Sequence, residues 1–145
     1  MKIRNDYVSN SSSCSFIVRN PSDCVQKLLY KLNMTKDELL AALDEYGNFD
    51  LKDITVCLFK DENPWDGENL NFAEFIDKYA NESILGKSIV EFECNDYEDS
   101  KKNVLRILYK VFANLGYDID AKNSEHEFLY EDKTDLMAAL RRISL

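Results

Sequence analysis

The chain has 145 residues, 45% of them apolar and 12% aromatic, with only four Gly and two Pro. That length suits a single domain burying roughly 70% of its unfolded surface without a staple, and the composition excludes a disordered or linker-rich chain. A net charge of −9 disfavours direct binding to phosphate backbones, and no apolar run approaches the ~18 residues of a membrane span.

Residues 1–13 read as a polar arm ending in Ser9-Asn10-Ser11-Ser12-Ser13, and residues 14–145 as one α+β domain. The arm lacks the apolar stretch of a signal peptide, so a cytoplasmic location is expected. Cys14 to Val18 then reads as a short strand. Pro21-Ser22-Asp23 supplies turn and cap chemistry for a helix carrying Val25, Leu28, Leu29 and Leu32 at helical spacing. Thr35-Lys36-Asp37-Glu38 matches a capping box, which opens a second helix with Leu39, Leu40, Leu43 and Tyr46 on its apolar face and Gly47 at its end.

Lys52 to Lys60 reads as a strand with apolar residues on both faces: Ile54, Val56 and Leu58 against Cys57 and Phe59. That pattern predicts a central, covered position. Asp61 to Asn69 reads as a loop around Pro64-Trp65-Asp66-Gly67. Asn71 can cap a helix through Phe72, Phe75, Ile76 and Tyr79, and Ser88 to Cys94 reads as another strand. Asp99 or Ser100 opens the longest helix, through Val104, Leu105, Leu108, Val111, Phe112 and Leu115 to Gly116. Tyr117 to Asp120 and Glu127 to Tyr130 are short strand candidates, and Thr134 can cap a last helix through Leu136, Met137, Leu140 and Ile143. The alternation permits parallel βαβ units, while the short Tyr117–Tyr130 region suits a hairpin. Together they predict a mixed sheet of about four strands covered by about five helices.

Cys14, Cys24, Cys57 and Cys94 form no C-x-x-C and are expected to be reduced, with Cys57 and Cys94 as small strand-core residues. His126 is the single histidine and stands in no nucleophile motif. Asp118 to Asn123 begins like a calcium loop, but Lys122, Asn123 and Leu129 occupy positions that need an oxygen ligand, Gly and Glu. Leu85-Gly86-Lys87-Ser88 lacks the earlier Gly of a phosphate loop and leads into a strand. No catalytic residue, cofactor or metal is therefore assigned. Carboxylate pairs such as Glu91/Glu93 and Asp118/Asp120 could do acid–base work, and a small carboxylate-dependent hydrolase or transferase, with His126 or Asp118 and Asp120 in a deep pocket, is the enzymatic alternative.

The stretch Met1-Lys2-Ile3-Arg4-Asn5-Asp6-Tyr7-Val8-Ser9-Asn10-Ser11-Ser12-Ser13-Cys14-Ser15-Phe16-Ile17-Val18 resembles an N-terminal signature, M-K-x-R-x-x-[FY]-V-S-N-S-S-S-S-S-F, of small uncharacterised proteins of bacteria and their phages, and the resemblance covers these residues alone. It departs from that signature at Asp6, where Gly is usual, and at Cys14, where Ser is usual. The resemblance implies a bacterial or phage source and no particular activity.

The leading expectation is a non-enzymatic interaction or regulatory protein that binds a protein partner of unknown identity. Its candidate interaction residues are Ser9, Asn10, Ser11, Ser12 and Ser13, which a partner could read as an extended strand. Trp65 in its polar loop joins them, because Trp is enriched at interface hot spots. So do Glu91, Glu93 and Asp96. On a strand, Glu91 and Glu93 project to one side roughly 6.6 Å apart, and no basic residue interrupts Ser88 to Ser100. Such a row could imitate a phosphate backbone, which makes an acidic nucleic-acid mimic, inhibiting a host defence protein, a further alternative.

Overall fold

Side-chain alternation organises the first strand. In β1 (Ser13–Arg19), Cys14, Phe16 and Val18 are buried on one side, and Ser15 and Ile17 point to the other. The same period of two builds β2 (Ile54–Lys60) and β4 (Ile89–Asn95). The computed structural model describes residues 13–47, 53–60, 63–95 and 99–121. Within them, these strands join β3 (Asn63–Asn71) and the short β5 (Ile119–Asp120) in one sheet of order β3-β2-β4-β1-β5.

Every pairing in the sheet is antiparallel, so the expected mixed sheet is corrected. The physical reason lies in where β4 inserts. β1 and β2 run in the same direction, as a helical crossover allows, but each pairs with β4 between them rather than with the other. The expected loop at Asp61–Asn69 is also corrected. β3 pairs antiparallel with β2 and satisfies the backbone groups along its outer edge. The register shifts between Leu58 and Lys60.

Four helices are formed by the described residues: α1 (Cys24–Leu32), α2 (Lys36–Gly47), α3 (Phe72–Tyr79) and α4 (Asp99–Asn114). The fifth helix expected after Thr134 and the strand expected at Glu127–Tyr130 lie outside the described residues. Of the described helices, none is long and apolar enough to cross a membrane.

All four helices bury their apolar stripes on one face of the sheet. Leu28 of α1, Leu39 of α2, Phe75 of α3 and Phe112 of α4 share one core with Phe16, Val56 and Phe92. Phe92 is the hub: its ring centroid lies 5.1 Å from Phe16, 5.5 Å from Phe75 and 5.7 Å from Phe112. The sheet supplies this layer in register, with Val56 and Phe16 flanking Phe92 on neighbouring strands.

Candidate functional site

The corner between α1 and α2 is built from two locking motifs. At the end of α1, Asn33 takes a left-handed conformation with φ 55°. Its N–H donates to the Tyr30 carbonyl, and the Met34 N–H donates to the Leu29 carbonyl, both at 3.1 Å. This is a Schellman pair, with Asn where Gly is commoner. Thr35 then opens α2. Its Oγ1 accepts from the Glu38 N–H at 3.2 Å, and Glu38 Oε1 accepts from the Thr35 N–H at 2.9 Å. The predicted capping box is present.

Tyr30 projects from this corner with 88% of its surface exposed. It borders an open hollow of about 390 Å³ lined by Leu29, Tyr30, Asn33, Met34, Thr35 and Glu38. Leu29 and Met34 reach down to the core and fix the floor. The corner thus offers an aromatic ring beside an apolar floor, with a polar rim, on a backbone held by four local hydrogen bonds. That arrangement suits a protein contact, in which rigid aromatic anchors carry most of the binding energy. Sequence reasoning missed Tyr30. The available signal was its position opposite the Val25, Leu28, Leu29 and Leu32 stripe of its own helix.

Cys24 is the first residue of α1, where a helix terminus favours thiolate. Burial instead pushes its thiol up to about 12. The Asp23 carboxylate adds to the rise, and backbone N–H groups only partly oppose it. Nearby, burial also raises the pKa of Tyr117, helped by Cys24 and by Asp23, whose Oδ1 lies 3.4 Å from the hydroxyl. The Asp118/Asp120 pair is held by one guanidinium: Arg19 Nη1 lies 3.5 Å from Asp118 and Nη2 3.6 Å from Asp120. No described group of three or more His, Cys, Asp or Glu is placed to hold a metal ion. All four cysteines are free thiols and buried.

The remaining predicted residues do not converge. Ser13 opens β1, whereas Ser9, Asn10, Ser11, Ser12, Asp96 and His126 lie outside the described residues. Trp65 belongs to the edge strand β3, not to a loop. Glu91 and Glu93 do share one side of β4, but β4 is the middle strand of the sheet and Glu91 is only 5% exposed. Glu93, two residues on, is half-buried. No protein-family model, curated protein or solved structure matches this chain.

Proposed function

We propose that the protein is a non-enzymatic interaction module that binds a protein partner through the α1–α2 corner, with Tyr30 as the anchor. The exposure of Tyr30 on a doubly locked corner carries this reading. An aromatic ring left in water at that position contributes little to folding, whereas it can bury most of its surface against a partner. An apolar or aromatic partner side chain fits the hollow between Leu29 and Met34. The buried Cys24 thiol and the Arg19-held carboxylates support a role other than acid–base or nucleophilic catalysis. The N-terminal resemblance supports a bacterial or phage setting for the partner.

The test is affinity capture from lysate of the native host, using wild type, Tyr30→Phe and Tyr30→Ala. We expect one specific protein to be retained by the first two and lost from Tyr30→Ala. The melts of all three should agree within about 0.5 kcal/mol, because the site is a solvent-facing one. Undiminished capture by Tyr30→Ala overturns the proposal.

A further inference from the structure

Two helix ends of opposite sign meet at the α1–α2 corner. The last carbonyls of α1 carry about half a negative charge and the first N–H groups of α2 about half a positive one, so the two roughly cancel. Side chains therefore set the sign of the hollow, and Glu38 is the charged one among its lining residues. Glu38 Oε1 accepts the Thr35 N–H at 2.9 Å. A carboxylate offers about four acceptor positions, so this bond leaves room for further donors. Glu38 is exposed, as is Tyr30. The cation of the same turn is drawn elsewhere, because Lys36 Nζ is bonded to Asp77 of α3. Lys31, in the last turn of α1, does not line the hollow.

We propose that this corner reads an arginine standing beside an apolar residue in a segment of the protein partner. The proposal rests on the corner being the contact site and adds the chemistry of what it contacts. The apolar side chain fills the hollow over Leu29 and Met34. The guanidinium stacks on the Tyr30 ring and donates to the Glu38 carboxylate. Arginine fits better than lysine, since its planar fork matches both an aromatic face and a carboxylate, whereas an ammonium is a compact and more strongly hydrated charge. The net charge of −9 adds a general attraction for a basic segment.

NMR titration of the full-length protein tests this. The probes are the blocked dipeptide leucyl-arginine and its counterpart with citrulline, the neutral isostere of arginine. We expect shifts centred on the Tyr30 ring, the Met34 methyl and the Glu38 amide, with the arginine probe binding about tenfold more tightly than the citrulline probe. Equal affinity for the two probes overturns the proposal, as do shifts centred elsewhere or no binding. Glu38→Gln removes the charge but keeps the capping box, in which Gln also serves, so its melt should match wild type. Its affinity for the arginine probe should fall about threefold or more, and unchanged affinity overturns the proposal. Lysate capture separates this claim from the contact site itself. A partner lost from Tyr30→Ala but fully retained by Glu38→Gln removes the arginine and leaves the corner as the contact site. Full retention by Tyr30→Ala removes both.

Discussion

Phe16 lies directly opposite Phe92 across β1 and β4, their rings stacked at 5.1 Å with planes 29° apart. The pair ties the first strand to the central one in the layer where α3 and α4 also meet the sheet. Phe92→Ala should therefore cost about 3–5 kcal/mol, the range for emptying a fully packed aromatic site. Phe92→Leu, which keeps most of the volume, should cost less. Urea unfolding checks both, and a loss under about 1 kcal/mol for Phe92→Ala would contradict the hub assignment.

The helix caps predict smaller, separable effects. Asn71 Oδ1 accepts from the Glu74 N–H at 2.8 Å, and Glu74 Oε1 accepts from the Asn71 N–H at 3.0 Å. Asn71→Ala should cost about 1 kcal/mol, and Thr35→Ala a similar amount at the head of α2. The two caps serve different helices, so the double variant should lose close to the sum in thermal or urea melts.

Acid should weaken the tie between β3 and α3. Glu68 accepts from Lys78 Nζ and from the Tyr79 hydroxyl, each at 2.8 Å, and these bonds hold its carboxyl below the ordinary value of 4.5. A lowered folded value means that the contribution is complete above pH 4.5 and fades as the pH falls through the folded value. Stability measured between pH 6 and pH 3 should decline more steeply in wild type than in Glu68→Gln. Parallel declines would show that the bonds contribute nothing measurable.

Alkali acts in the opposite sense on Cys24. Its folded value is raised from 9.0 to about 12, so its contribution is complete below pH 9 and is lost as the pH rises towards 12. The slope is at most about 1.4 kcal/mol per pH unit in that window. Cys24→Ala should flatten the decline above pH 9 relative to wild type, and Tyr117→Phe should flatten it above about pH 10, as its raised hydroxyl predicts. Denaturation followed from pH 8 to pH 11 gives the comparison. Identical slopes in wild type and Cys24→Ala would rule out the buried thiol as the cause.

Local chemistry was legible in the sequence wherever a residue acts on its near neighbours along the chain. The Thr35–Glu38 capping box, the apolar stripes of α1, α3 and α4, and the inward set Ile54, Val56 and Leu58 all follow from spacing of three, four or two residues. Tertiary structure decided what depends on partners distant in the chain. Pro64 and Gly67 read as turn residues, yet Asn63–Asn71 became a strand because the edge of β2 offered it backbone partners. Glu91 and Glu93 read as a carboxylate row on one side of a strand. That strand is the middle one of the sheet, because β4 pairs on both sides, with β1 and with β2. Side-chain alternation tells which residues share a face, but a face is buried or open only according to which strands and helices come to lie beside it.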